Sequence, residues 1–460
     1  MKLMSLFDGS GGFPLAASLC GIKPIYAAEV EPYPIAVTKN RFPKMKHLGD
    51  VSKVKGGEIE PVDIITFGSP CQDMSIAGKR AGLKHADMGD DETTRSGLFL
   101  EAIRIIKEMR EATNGVYPRY AIWENVPGVF SSNRGEDFRT VLEEFIRIKE
   151  KDAVMPSVPA AGWAYADCIS GDRWSVAYRV FDAQYWGVPQ RRRRIYLVAD
   201  FRGGSAKEIL FECKGLRGCF EAGRTPWQGI AAGAQNCVRA DDRAGESDSL
   251  IAFAQNQRNE IRDLGEKAGC IQAEPRMKQQ TFIVENIEVQ GFDKFNQCLT
   301  GEVQNTLRTP GGGDNYATVV YAQKSYTEFK DESVLSTLKA NGGNYGGGSE
   351  NIVAKNYIVR RLTPTECARV QGFPSWWGIV NPVENLTDED YTFWLGVRNT
   401  YAEINGEATK EYTKQQMLSW YNKLHSDSAE YKMWGNGIAL PNALYVMQGI
   451  AEVERVTNDA

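Results

Sequence analysis

The chain has 460 residues, enough for two or three domains with a sizeable core. At 42% hydrophobic and 25% charged its composition is that of an ordinary globular protein, and no run of about 18 apolar residues marks a membrane span. The formal net charge of -5 excludes a bulk polycation, so a polyanion partner must be met by locally concentrated positive charge.

Roughly the first 200 residues alternate strand-like and helix-like patterns. A short apolar run at 3–7 is followed by a glycine turn and a helix-compatible stretch at 14–20. A strand at 25–29, a helix at 32–42 and a strand at 62–67 come next. An amphipathic helix at 98–109, a strand at 120–124, a helix at 138–149 and a strand at 195–199 complete the series. Such alternation predicts an α/β fold with a mixed, mainly parallel sheet covered on both faces. After about residue 201 glycines multiply and short Val/Ile/Phe/Tyr runs lie between polar loops, which reads as a smaller β-rich domain.

That β-rich segment repeats internally. Asn305-Thr306-Leu307-Arg308, Gly311-Gly312-Gly313 and Thr318-Val319-Val320 form one unit. Ser336-Thr337-Leu338-Lys339, Gly346-Gly347-Gly348 and Asn351-Ile352-Val353 form another. A fainter copy runs from Phe253 through Cys270-Ile271-Gln272 to Phe282-Ile283-Val284. A period of about 31–37 residues is that of tandem supersecondary units. A polar, aromatic-containing stretch at 387–431 carries helical character at 414–424, and 442–453 reads as a last helix. The expected boundaries are 1–200, 201–358, 359–432 and 433–460.

Nine cysteines are scattered without a CxxC pair, and His47, His85 and His425 cannot complete a Cys/His zinc site. The expectation is free thiols, no structural metal and a reducing compartment. Met1-Lys2 runs almost directly into a strand-like segment with no signal peptide, so a cytoplasmic protein without membrane association is expected.

Phe7-Asp8-Gly9-Ser10-Gly11-Gly12 lies between a strand and a helix, where doubly wound sheets cradle cofactors. The spacing is not GxGxxG and no GKS/T follows, which excludes a P-loop and disfavours a nicotinamide or flavin oxidoreductase. Ala28-Glu29-Val30-Glu31 ends the second strand, where an acid suits a ribose diol. Gly49-Asp50-Val51 ends a third strand-like piece, where an acid suits an adenine amine. Each acid alone reads more readily as a helix cap or solvated surface charge. Together they read as one nucleoside pocket for an adenosine-type cofactor without a pyrophosphate.

Pro70-Cys71-Gln72 follows the apolar run Asp63-Ile64-Ile65-Thr66-Phe67. A cysteine is ordinarily a small buried hydrophobe; one at the tip of a strand-end loop is displayed instead. Glu124-Asn125-Val126 follows another strand, and Gln190-Arg191-Arg192-Arg193-Arg194 precedes a third.

In order and approximate spacing, the glycine turn, Pro70-Cys71-Gln72, Glu124-Asn125-Val126 and Gln190–Arg194 resemble the DNA (cytosine-5) methyltransferase family of bacterial or phage type. Arg360-Arg361-Leu362-Thr363-Pro364-Thr365-Glu366-Cys367 with Gln371-Gly372-Phe373-Pro374 resembles the family's ninth motif, and Gly435-Asn436-Gly437 with Pro441 its tenth. The matches cover 1–200 and 355–450. The segment between carries no family-wide signature, as expected of a target-recognition domain.

The resemblance implies a Rossmann-like methyltransferase domain using S-adenosylmethionine, with S-adenosylhomocysteine as product and no metal. Cys71 is the expected nucleophile toward carbon 6 of cytosine. Glu124 is expected at ring nitrogen 3 and the exocyclic amine. Arg192 and Arg194 are expected to face the base, with Arg191 and Arg193 on the other side of the strand. Asn125 is expected to shape its loop. Phe7, Asp8, Gly9, Gly11, Gly12, Glu29, Val30, Asp50, Val51, Pro70 and Asn436 are the expected cofactor contacts. Gln72, Ser75, Lys79 and Arg80, on the loop after Cys71, are the expected DNA contacts. The partner implied is double-stranded DNA, with a cognate restriction endonuclease as a candidate second partner and a monomer as the expected state. An RNA (tRNA) cytosine-5 methyltransferase and a non-catalytic nucleic-acid-binding relative are the alternatives.

Overall fold

The computed structural model describes residues 1–69, 97–211 and 363–459, and the backbone of nine strands between 251 and 361. The chain divides into two compact units: residues 1–237 with 364–460, and residues 238–363.

The first unit is built on an eight-stranded sheet. Its strands are β1 (Lys2–Leu6), β2 (Lys23–Ala28), β3 (Lys46–His47), β4 (Ile64–Phe67), β5 (Tyr120–Asn125), β6 (Ala166–Gly171), β7 (Trp174–Asp182) and β8 (Arg193–Asp200). They lie in the order β3-β2-β1-β4-β5-β8-β7-β6. The first five are parallel, and β8, β7 and β6 follow antiparallel. The central strands are nearly continuous apolar runs because helices cover both faces. The helices α1 (Gly12–Leu19), α2 (Pro32–Arg41), α3 (Gly97–Ala112) and α4 (Glu136–Arg147) connect them.

The expected strand–helix alternation and mixed sheet are present. The β6–β7 hairpin is an addition that the sequence reading left unassigned. β6 is a partly exposed edge strand, so its side chains lack the apolar run that marks the central strands. A short helix α5 (Ala206–Phe211) continues the unit past residue 200 and buries Ile209 and Leu210.

Below the carboxyl ends of β4 and β5, Phe67, Phe99, Trp123, Phe138 and Phe145 form one aromatic cluster. It gives the strand ends a rigid floor, since buried rings of this size dominate core energetics.

Residues 363–459 supply α6 (Pro364–Val370), α7 (Asp388–Ile404), α8 (Lys414–Tyr421), α9 (Asp427–Asn436) and α10 (Leu440–Asp459). The polar stretch at 387–431 is therefore mostly helical, beyond the single helix expected. Its helices are set by caps rather than by apolar periodicity. Thr387 Oγ1 accepts from the Asp390 N–H at 3.0 Å, Thr413 and Gln416 form a capping box, and Ser426 caps α9. Phe393 on α7 meets the edge of His47 at 6.2 Å, covering β3, and burial pushes that imidazole down to about 4. The last helix, α10, already includes Pro441, and Glu454 on it pairs with Arg119.

The second unit is described by its strands alone. Asn351–Ala354 pairs antiparallel with Val319–Ser325, Val320 opposite Val353 and Tyr321 opposite Ile352. These are the equivalent strands of the two clearer repeats, placed side by side in one sheet. Thr281–Asn286, from the fainter copy, pairs with Tyr357–Arg361 in a separate four-stranded sheet. The glycine triplets of the repeats lie outside the described residues. Among the described residues no helix is long and apolar enough to cross a membrane.

Candidate active site

The glycine turn closes β1 in a tight, left-handed path. Phe7 has φ 54°, Gly9 54° and Gly11 76°. A bulky residue at positive φ is disfavoured and survives where surrounding structure over-determines it. The glycines divide into two kinds. A Cβ on Gly11 would lie 2.7 Å from Thr38 Cγ2, and one on Gly12 2.5 Å from Ile438 Cγ1. Both therefore exist to seat the chain's own segments. Among the described residues a Cβ on Gly9 would meet only the Phe7 carbonyl, at 3.9 Å, so this glycine is not needed to seat a neighbouring segment.

Asp8 sits in the turn, nine-tenths buried, and neither carboxylate oxygen has a partner within hydrogen-bond geometry among the described residues. Burial pushes its carboxyl up to about 8; Ser5 pulls it down and Glu29 adds to the rise. Glu29, at the end of β2, turns back on the turn. Its Oε2 accepts from the Gly9 N–H at 2.8 Å, and Oε1 from Val30 and Glu31 at 2.8 and 2.9 Å. Burial raises its carboxyl, and those three donors oppose the rise. Glu31 pairs with Lys432 on α9 at 2.7 Å.

Asp50 caps the short helix Val51–Lys53, accepting from the Ser52 N–H at 2.9 Å. The Val51 side chain is buried in the main core. Asn436 is exposed at the end of α9, beside the turn's packing partner Ile438.

At the next strand ends, Glu124 on β5 is buried, and burial raises its carboxyl while Arg194 and then Arg192 hold it down. Arg194 Nε stands 3.2 Å from Glu124 Oε1, close enough for an ion pair although not aligned as a hydrogen bond. Gly68 makes room for this carboxylate, since a Cβ there would stand 3.1 Å from Oε2. Ser69 is tied to β5: its Oγ accepts from Trp123 Nε1 at 3.1 Å and from Asn125 Nδ2 at 3.3 Å. Asn125 Nδ2 also reaches the Ser69 carbonyl at 3.3 Å. The chain leading to Cys71 is thus anchored directly beside Glu124, with Asn125 as a tether.

The two arginines do different things. Arg194 points at Glu124. Arg192 is almost fully buried, and its guanidinium donates to the carbonyls of Gly435 and Gly437, on either side of Asn436. Its charge acts on Glu124 while its hydrogen bonds hold the tenth-motif segment. Tyr196 lies directly across from Glu124 in the β5–β8 ladder. It is buried with no partner for its hydroxyl among the described residues, and burial pushes its phenol far up.

Sequence reasoning missed Gly68, Ser69, Trp123 and Tyr196. Tyr196 could have been found from the Arg194-to-Tyr196 alternation, but Gly68 is legible only in three dimensions. Pro70, Cys71, Gln72, Ser75, Lys79 and Arg80 lie outside the described residues. Among the described cysteines, burial pushes the Cys20 thiol up to about 12 and the Cys367 thiol higher. No group of three or more potential metal ligands converges among the described residues.

The sequence matches the model of the family described as C-5 cytosine-specific DNA methylase over residues 1–149 and 169–389. It is 29% identical to a protein of Escherichia phage P1 described as a DNA N-6-adenine-methyltransferase, over 95% of this chain and 59% of that protein. It is also 29% identical to the type II methyltransferase M.NlaIV of Neisseria lactamica, over 46% of this chain and 44% of that protein. The chain thus spans 59% and 44% of the length of these two relatives. Among solved structures, the Dnmt2 methyltransferase of S. pombe aligns over 100% of this chain and 99% of its own, with 13% identity and a TM-score of 0.46. With the family model matched over most of its length, the chain belongs to the C-5 cytosine-specific DNA methylase family.

Proposed function

We propose that this protein transfers a methyl group to carbon 5 of cytosine in duplex DNA. The observation that carries the reading is the buried Glu124–Arg194 pair beside the anchored Ser69, two residues before Cys71. Carbon 5 of cytosine is a weak nucleophile. In the proposed reaction the Cys71 thiolate adds to carbon 6, forming a sulfur–carbon bond and moving electron density to carbon 5. Glu124, held toward its protonated form by burial, donates to ring nitrogen 3 and draws density in the direction that favours attack. Arg194 holds the carbonyl oxygen of the base. After methylation, loss of the carbon 5 proton expels the thiolate and restores the ring. The base must leave the stack to reach these groups.

The turn at the end of β1 fits an adenosine-type cofactor carrying positive charge. Among the described residues it offers two buried carboxylate oxygens on Asp8 without a hydrogen-bond partner, and open space over Gly9. Asp8, Gly9, Glu29, Val30, Asp50 and Asn436 would hold S-adenosylmethionine, while Gly11 and Gly12 shape the turn by packing. Bound there, S-adenosylmethionine supplies an electrophilic methyl group. The second unit, residues 238–363, is the proposed target-recognition domain.

The description of the phage P1 relative as an adenine methyltransferase favours one second reading, methylation of the adenine amine. That amine attacks through its own lone pair, and a carboxylic acid donating to the ring would weaken it. Glu124 therefore supports cytosine. Digesting methylated duplex DNA and quantifying 5-methylcytosine against N6-methyladenine separates the two. RNA as substrate is separated by offering tRNA beside duplex DNA.

The direct test uses duplex DNA carrying 5-fluorocytosine, whose fluorine cannot leave as the proton does. With S-adenosylmethionine present, the parent protein should methylate it and remain as a denaturant-stable adduct, and Cys71→Ser should form none while still binding S-adenosylhomocysteine. Adduct formation by Cys71→Ser overturns the nucleophile assignment.

A further inference from the structure

Beyond the catalytic strand ends, a groove of about 720 Å³ crosses the end of the β7–β8 hairpin. Tyr165, Arg179, Phe181, Tyr185, Trp186 and Arg193 line it. Tyr185 is 76% exposed and Tyr165 60%, an unusual display for large rings. Arg193 places its guanidinium carbon 4.7 Å from the Tyr165 ring centroid, and Arg179 lies 5.2 Å from that of Phe181.

Charge is concentrated here. Of the five arginines in residues 179–194, Arg179 and Arg193 line the groove, and the single acid of that stretch is Asp182. That acid is already engaged, accepting from the Arg192 N–H at 3.1 Å and from Gln184 Nε2 at 2.7 Å. A local positive stripe in a chain of net charge -5 points to a polyanion. Exposed rings interleaved with guanidinium groups are the combination that stacks bases and holds phosphates.

The groove also lies at the right place. Asp182 pairs with Arg193 and Phe181 with Arg194 at the start of β8. Successive side chains leave a strand on opposite faces, so Arg194 reaches Glu124 while Arg193 opens on the groove. The groove therefore borders the same start of β8 that carries Arg194 to Glu124.

We propose that this groove is a second DNA contact, taking a nucleotide of the strand that flanks the methylated cytosine. Arg193 holds its phosphate and Tyr185 stacks on its base. The proposal rests on DNA being the substrate but not on which base is methylated. Arg193, the odd member of the arginine run, then contributes to affinity rather than being a solvated neighbour of Arg194.

The test is equilibrium binding of the full chain to a fluorescent mixed-sequence duplex and to a fluorescent oligothymidine strand, each over a salt series. Arg193→Gln should weaken binding to both and lower the salt slope by about one, with Arg193→Lys restoring most of the slope. Tyr185→Ala should weaken oligothymidine binding about five- to a hundredfold, with Tyr185→Phe restoring it. S-adenosylhomocysteine affinity, measured by calorimetry, should stay at the parent value in all four, reporting an intact first unit. Unchanged DNA affinity and salt slope in Arg193→Gln and Tyr185→Ala overturns the proposal. Weakened binding in those variants, in a parent that yields no 5-methylcytosine, sustains this contact and rejects the catalytic reading instead.

Discussion

Arg194 Nε stands 3.2 Å from Glu124 Oε1 in a site where burial alone raises the same carboxyl. The two influences oppose each other, and burial is the larger. In the proposed reaction Arg194 would therefore tune the Glu124 carboxyl as well as contact it.

Removing the acid should cost rate more than binding. Glu124→Gln keeps shape and polarity but cannot give up a proton, so kcat should fall about 10²–10⁴-fold. S-adenosylhomocysteine affinity should be unchanged. Arg194→Ala removes the cation that holds the carboxyl down, so its pKa rises further. The limb of the kcat profile on which activity falls with rising pH should then move to higher pH. Single-turnover rates over a pH series check the direction; a limb that stays in place or moves down rejects the coupling.

Asp8 predicts a stability effect with a definite sign. Its carboxyl is pushed up to about 8 in the folded chain, against about 4 in an unfolded one. Between those values the folded protein keeps a proton that the unfolded chain releases, so stability falls as pH rises through the window. Asp8→Asn should flatten this dependence. Relative to the parent, its Tm should rise progressively from about pH 5 to about pH 8. A cationic ligand should reverse the preference by favouring the ionised carboxylate. S-adenosylmethionine binding to the parent should then release a proton near neutral pH, and binding to Asp8→Asn should release none. Calorimetry in buffers of differing ionisation enthalpy measures this directly.

Why some of this was legible in the sequence and some was not follows from range. The parallel strands announce themselves because β1, β4 and the first four residues of β5 are buried on both faces and mostly apolar, Ser5 and Thr66 being small buried exceptions. The β6–β7 hairpin escaped because β6 is an edge strand whose partly exposed residues, Asp167 to Ser170, carry no such run. Helices α7 and α9 escaped because caps and tertiary contacts fix them. The residues of the site were visible as local motifs, but their division of labour was not. Glu29 binds Gly9 across 20 residues, and Arg192 binds the Gly437 carbonyl across 245. No local pattern distinguishes Arg192, which holds the backbone around Asn436, from Arg194, which faces Glu124.

If the second unit reads the target, as proposed, specificity is separable from chemistry. Replacing residues 238–363 with the corresponding unit of a relative should change which sites are methylated. The rate on a preferred site and the affinity for S-adenosylhomocysteine should stay near those of the parent. Sequencing of converted DNA from expressing cells reads the sites. If the paired repeat strands belong to separate reading modules, replacing one repeat should alter one set of sites and spare another. Unaltered preference after replacement of the whole unit rejects it as the recognition domain.

The seat of Gly12 on Ile438 predicts a coupling between the cofactor turn and the tenth-motif segment. A methyl group on Gly12 would fall 2.5 Å from Ile438 Cγ1 and 3.3 Å from the Phe373 ring. The turn is fixed by its positive φ angles and by the Glu29–Gly9 hydrogen bond, so it has little freedom to move aside. Gly12→Ala should therefore destabilise the fold by about 1–3 kcal/mol through overpacking. Ile438→Ala should cost about 2–5 kcal/mol by leaving a cavity. The methyl of the first variant partly fills the space left by the second. The double variant should then be more stable than the two losses added together, with a coupling of about 0.5–3 kcal/mol. Denaturant unfolding of the four proteins gives that coupling, and simple additivity would show that the turn and the segment do not share this contact.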